Sequence, residues 1–184
     1  MEYCRTIKLK DGRDCCLRNG TEKDGAAALE NFRLTHEQTD WLLSYPDENT
    51  MTAEKEAQFL KDKTESCDEI ELLAEIEGKV AGLAGIECVG KREKLKHRAS
   101  FGISIDKAYW NLGIGRALTR ACIECAKKAG YIQLELDVVA DNWHAIALYE
   151  SEGFVEYGRN PKGFRSRVSG WQEVVLMRLE LKDA

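Results

Sequence analysis

The chain has 184 residues, and the 43% that are hydrophobic can fill one continuous core in a single domain of ordinary size. Its formal net charge is -5, with 27 Lys and Arg against 32 Asp and Glu, and it lacks the basic stripe of a nucleic-acid binder. No apolar run approaches the roughly 18 residues of a membrane span and no signal-peptide pattern is found, so we expect no membrane partner. Seven cysteines without a regular framework favour a reducing compartment, and we expect a cytoplasmic protein.

The first third of the chain predicts a β-hairpin and two helices. Residues 5–18 alternate about an Asp-Gly pair, which is a typical hairpin turn. Thr21 and Thr52 are each followed by apolar residues at helical spacing, and threonine is a favoured residue for starting a helix. Residues 45–49, which include a proline, form a loop between the two helices.

The rest of the chain alternates strands and helices. Predicted strands cover residues 71–77, 79–89, 99–105, 132–139, 154–158 and 174–181, and predicted helices cover 113–129 and the stretch from Asn142 to just before Gly153. A polar loop is expected from Arg159 to Gly170. This order implies an α/β fold with a parallel pair of strands, in which ligands favour the crevice beyond the strand ends.

A glycine pair, Gly113-x-Gly115, lies between the predicted strand of residues 99–105 and the helix that follows it. Glycine lets the backbone approach an anion closely, and the unpaired N–H groups of a first helical turn attract phosphate. Taken alone the pair is weak evidence, because most such pairs only turn the chain. A dinucleotide-binding turn would need a third glycine at position 118, where this chain has Leu118, so the pattern argues against that type of site.

Cys122 and Cys125 have the spacing of some metal and redox sites. They fall on one face of the helix predicted over residues 113–129, and no second pair of ligands lies nearby in the sequence. Free cysteine behaves as a small hydrophobic residue, so we predict core positions for both and no metal site in the protein.

A second motif follows at residues 142–154. With both motifs, the carboxyl-terminal half resembles the GNAT superfamily of N-acetyltransferases, whose signature is a Gln/Arg-x-x-Gly-x-Gly/Ala loop followed by Asn-x-x-Ala-x-x-Leu-Tyr-x-x-x-Gly-Phe. The second part is met throughout, by Asn142, Ala145, Leu148, Tyr149, Gly153 and Phe154. Trp110 stands at the Gln/Arg position of the first part, and we expect it to change the rim of the phosphate site.

The resemblance covers roughly residues 71–181 and implies a fold. It implies a single α/β domain, GNAT-like, with a mixed, centrally splayed β-sheet flanked by helices. The split would lie between the strands of residues 99–105 and 132–139. Residues from about 1 to 70 would form the acceptor side, and residues from about 71 to 184 the acetyl-CoA-binding half.

The resemblance also implies acetyl-CoA as the acetyl donor and suggests its contacts. The arm that ends in the thioester, pantetheine, would pair with backbone groups of Ile103 and Ile105. Asn142 would cap the last helix and face the same arm. The pyrophosphate would be held by the backbone amides of Leu112, Gly113, Ile114, Gly115 and Arg116. The side chain of Arg116 would add positive charge.

The same resemblance makes Tyr149 the candidate general acid, since a phenol with a pKa of about 10 can protonate a departing thiolate. A core tyrosine is the alternative for this position. A backbone N–H near residues 101–103 is the expected oxyanion donor. The base is less defined, because Ser100 stands where many family members have glutamate. Glu87 and His97 are candidates, each with an ordinary structural role as the alternative.

We therefore predict an N-acetyltransferase that moves an acetyl group from acetyl-CoA to a primary amine by direct attack. The amine would belong to a small molecule or a peptide. Acidic residues between positions 37 and 56 favour a cationic acceptor, whereas Lys162, Arg165 and Arg167 favour an anionic one. A non-catalytic acyl-CoA sensor of the same fold and a nucleotide-binding module stay open as alternatives, and so does a homodimer.

Overall fold

The computed structural model describes residues 1–181. Its strands are β1 (Cys4–Lys8), β2 (Asp14–Asn19), β3 (Ile70–Ile76), β4 (Lys79–Cys88), β5 (Arg98–Ile105), β6 (Gln133–Val139), β7 (Val155–Ser166) and β8 (Gly170–Glu180). Its α-helices are α1 (Gly25–Gln38), α2 (Ala53–Glu65), α3 (Ile114–Lys128) and α4 (Trp143–Ser151). The strands form one 8-stranded sheet in the order β1-β2-β3-β4-β5-β6-β8-β7.

Helices cover both faces of the sheet because its central strands are apolar on both sides. On one side, Leu73 of β3 and Leu83 of β4 pack in a cluster with Leu60 of α2 and a buried alanine of α1. On the other side, alternate residues of the same strands join α3 in the main core. Cys122 and Cys125 are buried in that core, as predicted, and all the cysteines of the described chain are free thiols.

The sheet splits between β5 and β6. These two strands run parallel because α3 connects them as a crossover helix. They pair only at their first residues, where Arg98, Ala99 and Ser100 lie opposite Gln133, Leu134 and Glu135. Both strands continue beyond these positions without pairing to each other in the described chain. The other neighbours are antiparallel, which confirms the predicted mixed, centrally splayed sheet.

Thr52 and Asn142 start α2 and α4 as predicted, whereas Thr21 starts a short 3-10 helix and α1 begins at Gly25. The side chains of Thr52 and Asn142 each accept a hydrogen bond of 3.3 Å from the backbone N–H three residues further on. Gly113 precedes α3 and Gly130 follows it, with φ angles of 99° and 84° that glycine adopts without strain. No helix in the described part of the chain has the length and apolar character needed to cross a membrane.

The prediction of a loop over residues 159–170 was wrong. β7 extends to Ser166 and β8 begins at Gly170, so this region is a long hairpin. Most residues of β7 are exposed on both sides, and its sequence therefore lacks the apolar alternation by which a strand is recognised. The strand register also shifts between Asn160 and Phe164, which interrupts the pattern further.

The segment between α1 and α2 is fastened to the turn of this hairpin. The carboxylate of Asp40 accepts hydrogen bonds from the hydroxyls of Ser166 and Ser169, at 2.6 and 2.9 Å. The hydroxyl of Tyr45 accepts one from the backbone N–H of Arg167 at 2.7 Å. These bonds hold the segment beside the open end of the split.

Candidate active site

A cavity of about 610 Å³ lies at the open end of the split. Its walls come from β5, the first turn of α3, α4, the end of α1 and the segment that follows α1. It reaches Tyr149 of α4 as well as Thr35 of α1, and these two helices cover opposite faces of the sheet. The cavity therefore passes through the sheet, and groups bound in it are accessible from both faces.

The glycine pair forms one wall of this cavity. The first backbone bond of α3 runs from the N–H of Ala117 to the carbonyl of Gly113, at 3.2 Å. The N–H groups of Ile114, Gly115 and Arg116 therefore have no partner within the helix. No protein atom in the described chain lies within 4 Å of the place where a β-carbon on Gly113 would stand. The turn thus offers free donors and open space to a phosphate group.

The edge of β5 offers backbone groups to the same cavity. The N–H of Asp106 donates to the carbonyl of Ala81 at 3.0 Å, and this bond sets which residues of β5 are bonded to β4. Ile103 and Ile105 fall at the alternate positions, so their N–H and C=O groups point away from β4 and toward the split. This is the arrangement that the predicted contacts of Ile103 and Ile105 with an extended arm require.

Trp110 lies on the rim, at the position where the family signature has Gln or Arg. Its indole Nε1 donates to the carbonyl of Ile105 at 2.7 Å, and its ring stacks on that of Trp41 with the centroids 6.0 Å apart. The carbonyl of Ile105 thus already has a protein partner. Of the two residues predicted to contact the arm, Ile103 therefore has more of its backbone groups available.

Two of the predicted phosphate contacts differ from expectation. The side chain of Arg116 lines the cavity, but its Nη1 donates to Oε1 of Glu152 at 2.8 Å, so its charge is already paired. Leu112 does not line the cavity: its side chain packs against the core and its carbonyl accepts from the N–H of Lys10. The backbone N–H groups after Gly113 are therefore the donors on this wall that remain free.

Lys10 also lines the cavity, although no motif in the sequence points to it. It lies in the turn between β1 and β2, and its backbone bond to Leu112 brings it next to the glycine turn. Its ammonium forms no salt bridge with a carboxylate anywhere in residues 1–181. The two segments are far apart in the chain, so no local pattern could have revealed this neighbour.

We expect Lys10→Ala to weaken CoA binding about threefold at low salt and by less at high salt. An exposed charge contact contributes roughly 0.2–1 kcal/mol and is screened by ions. Calorimetric titration with CoA at two salt concentrations measures this effect. Lys8→Ala is the control, because the Lys8 ammonium lies 2.9 Å from Asp14 and outside the cavity. An equal loss in both variants would contradict the placement of Lys10.

Asn142 and Tyr149 face the cavity from α4. The Tyr149 ring is buried and meets Phe101 edge to face, with the centroids 6.0 Å apart, and Phe154 lies at 5.8 Å. Within residues 1–181 its hydroxyl has no hydrogen-bond partner. Burial raises the pKa of Tyr149 above its usual value, so the phenol keeps its proton across the neutral range. The aromatic contacts fix the ring and leave a proton donor free for a ligand.

Neither candidate base lies on the wall of the cavity. The carboxylate of Glu87 accepts a hydrogen bond from Lys63 at 2.8 Å, and the same ammonium binds Glu69 at 2.8 Å. His97 lies in the turn before β5, where its backbone carbonyl accepts N–H groups from the start of β6. The carboxylate of Glu87 is thus already paired with an ammonium and is not free to accept a proton from a ligand.

Further wall residues were not predicted from the sequence. Thr35 of α1 lines the cavity, and so do Thr39 and Trp41, which follow this helix. His144 also lines the cavity and stacks on Trp143 with the centroids 3.4 Å apart. Residues 1–181 contain no group of three or more His, Cys, Asp and Glu side chains arranged to hold a metal ion.

The family model described as Acetyltransferase (GNAT) family matches residues 34–154, and the chain belongs to this family. A solved GNAT-family acetyltransferase from Streptococcus pneumoniae is 30% identical with a TM-score of 0.86, over 90% of this chain and 99% of that one. The structure of yncA from Salmonella typhimurium, solved with its cofactor acetyl-CoA, has the same fold, with a TM-score of 0.80 and 19% identity over 92% of this chain and 95% of that one.

The curated relatives are N-acetyltransferases with named acceptors. The ribosomal protein bS18-alanine N-acetyltransferase of Escherichia coli K12 is 35% identical over 104 residues, which are 56% of this chain and 66% of that protein. The L-amino acid N-acetyltransferase AaaT of the same strain is 38% identical over 93 residues, 50% of this chain and 57% of that protein. The matched region is thus less than two thirds of either relative.

Proposed function

We propose that the protein is an N-acetyltransferase that moves an acetyl group from acetyl-CoA to a primary amine. The observation behind this proposal is that one cavity combines the free N–H groups after Gly113, the unpaired edge of β5 and the hydroxyl of Tyr149. Open space at Gly113 and the backbone groups of Ile103 fit the phosphates and the extended arm of acetyl-CoA. When bound, acetyl-CoA supplies the acetyl group as an activated thioester.

Different residues of the cavity wall would carry out the separate steps of the transfer. The N–H of Ile103, which points into the split, would donate to the carbonyl oxygen as negative charge develops there. Tyr149 would give its proton to the departing sulfur. The wall contains no cysteine among the described residues that could carry the acetyl group, which supports direct attack by the amine.

The acceptor is proposed to be a primary amine of a small molecule or a peptide. The names of the two curated relatives give an alanine of a ribosomal protein and free L-amino acids as acceptors. An α-amino group has a pKa of about 7.7–8.0, so a substantial fraction is already neutral near pH 7. The opposite charges noted in the sequence partly cancel, since Arg167 binds Asp47 at 2.7 Å.

We also propose a cytoplasmic location, because all seven cysteines are free and free thiols persist in reducing compartments.

The test is a thiol-release assay with acetyl-CoA and three amines: a peptide that begins with alanine, a free L-amino acid and an alkylamine. We expect CoA release with at least one amine, and mass spectrometry should find the acetylated product. Binding of acetyl-CoA without turnover of any amine would instead favour the acyl-CoA sensor. If ATP or NAD displaced acetyl-CoA as effectively as CoA does, a nucleotide-binding module would be favoured.

A further inference from the structure

A carboxylate without a protein partner lies near the split, on the side covered by α1 and α2. Glu71 of β3 points to the same side as Leu73, which packs against α2. Its side chain is half-buried, and within residues 1–181 it makes no hydrogen bond and no salt bridge. The nearest ammonium, on Lys63, is already bound by Glu69 and Glu87. Glu71 is thus free to accept a proton or a cation from a ligand.

Two glycines connect Glu71 to the split. The register places Gly85 of β4 opposite Glu71 and places Gly102 of β5 opposite Gly85, so the three residues form one row across the sheet. A β-carbon on Gly85 would collide with Oε2 of Glu71, which shows that the carboxylate lies over Gly85. A β-carbon on Gly102 would meet no described atom within 4 Å. With strands about 4.8 Å apart, the carboxylate lies about one strand from open space beside Ile103.

This carboxylate also borders a second cavity, of about 470 Å³, beneath α1. Phe32 and Phe59 form apolar walls of that cavity, and Glu56 is a second half-buried acidic residue on its wall. Phe32 stacks on His36 with the ring centroids 3.7 Å apart, and Thr35 beside it lines the cavity of the split. Phe32 and Thr35 are three residues apart in α1, so the second cavity lies about one helical turn from the first along this helix.

We propose that Glu71 is the catalytic base, which receives the ammonium group of the acceptor over Gly102 and removes its proton. This role rests on the proposed function, because a base is needed only if an amine is acetylated. This role places the catalytic base on β3, whereas the sequence suggested Glu87 or His97. Gly85 and Gly102 are needed in this arrangement because any side chain there would fill the path between the carboxylate and the thioester.

The charges around Glu71 suit this role. The pKa of Glu71 is raised to about 8, chiefly by burial; Lys63 lowers it, and the neighbouring carboxylates Glu56 and Glu87 raise it. His36 faces the region from α1, and burial lowers the pKa of its imidazole. Glu48 contributes another carboxylate from the segment after α1. A base whose pKa is close to the working pH can both accept a proton from the amine and return it to water.

Protons and electron pairs balance in this acetyl transfer. Glu71 takes one proton from the ammonium, and the freed lone pair on nitrogen forms the C–N bond to the acetyl carbon. The C–S bond breaks with its electron pair on sulfur, and Tyr149 protonates that sulfur. The second proton lost by nitrogen restores the phenol, and Glu71 releases its proton to water. One proton leaves for each amide formed.

The test compares Glu71→Gln with Glu87→Gln and the wild type, using an alkylamine with a pKa of about 10. We expect Glu71→Gln to lower kcat/KM by about 100-fold or more, the usual contribution of a positioned base, and to keep the thermal shift caused by acetyl-CoA. The wild-type rate should rise with pH, be at half its limiting value near pH 8, where half of Glu71 is ionised, and level off above that pH. In Glu71→Gln the rate should keep rising until the amine itself is neutral.

Gly102→Ala tests the path while keeping the carboxylate. Alanine fits the extended backbone there and its β-carbon meets no described atom within 4 Å, so the fold should be unchanged. We expect kcat/KM for the amine to fall at least tenfold while the acetyl-CoA thermal shift is kept. A Glu71→Gln enzyme within threefold of the wild type, or a large loss in Glu87→Gln alone, would overturn the role of Glu71 and leave the proposed function intact. A wild type that releases no thiol with any amine would overturn both.

The pH dependence of stability gives a readout that does not depend on activity. The folded chain keeps the proton of Glu71 up to a pKa of about 8, while the ordinary value is 4.5, so this stabilisation is lost as the pH rises between the two values. We expect the unfolding temperature of the wild type to fall over this range relative to that of Glu71→Gln. A difference in unfolding temperature that stays constant with pH would show that the pKa of Glu71 is not raised.

Discussion

Replacing Tyr149 with Phe is expected to lower kcat by about 100-fold or more and to leave acetyl-CoA binding within about threefold of the wild type. The phenol is the proton donor that borders the cavity from α4, and a positioned acid contributes about that factor. The ring itself is fixed by Phe101 and Phe154, and phenylalanine keeps both contacts. Single-turnover thiol release, measured with saturating acetyl-CoA, separates the chemical step from binding.

Tyr131→Phe is the matched control for this experiment. Tyr131 is buried, its hydroxyl has no hydrogen-bond partner in the described chain, and it lies outside the cavity. Loss of that hydroxyl should leave kcat unchanged. The raised pKa of Tyr149 further means that the wild type should show no fall in rate below about pH 10 from loss of this proton. Unchanged thiol release in Tyr149→Phe would contradict the assignment of the acid.

Replacing Gly113 with Ala is expected to weaken acetyl-CoA binding at least about tenfold. Gly113 has a φ of 99°, and the space beside it is where we place a phosphate. A β-carbon would enter that space and separate the phosphate from the first-turn N–H groups. A hydrogen bond to a charged group contributes about 1.5–3 kcal/mol, and about 1.4 kcal/mol already corresponds to tenfold in affinity.

Gly130→Ala controls for the backbone strain that alanine brings. Gly130 ends the same helix with a φ of 84°, and no described atom lies near the place of its β-carbon. Both substitutions should lower the free energy of unfolding by about 1 kcal/mol, the cost of a left-handed conformation for alanine. Only Gly113→Ala should lose affinity in a calorimetric titration. Equal affinities in the two variants would place the phosphate elsewhere.

Local signals in the sequence predicted most of the structural elements to which we assign cofactor binding. The turn at Gly113 and Gly115, the cap at Asn142 and the helix that bears Tyr149 each depend on residues close together in the chain, and the structure has all of them. The edge of β5 followed from the family resemblance, because a split in a sheet has no local pattern of its own.

The residues that the sequence did not reveal reach the site through distant contacts. Lys10 lies beside the glycine turn only because β1 and β2 continue the sheet outward from β3. Glu71 resembles any half-exposed strand residue until the register shows Gly85 and Gly102 opposite it. The β7–β8 hairpin was missed because an exposed strand needs no apolar alternation. These features depend on strand order and register, which a single sequence does not specify.

The most direct test of the acetyl-CoA cleft is a titration of the unfolding temperature with acetyl-CoA, desulfo-CoA and NAD. A ligand that binds only the folded protein must raise this temperature as its concentration increases. We expect acetyl-CoA and desulfo-CoA to stabilise the protein and NAD to have little effect, because Ile103 and the turn after Gly113 together fit an extended arm joined to a pyrophosphate. No shift at millimolar acetyl-CoA, or an equal shift with NAD, would contradict the assignment of this cavity.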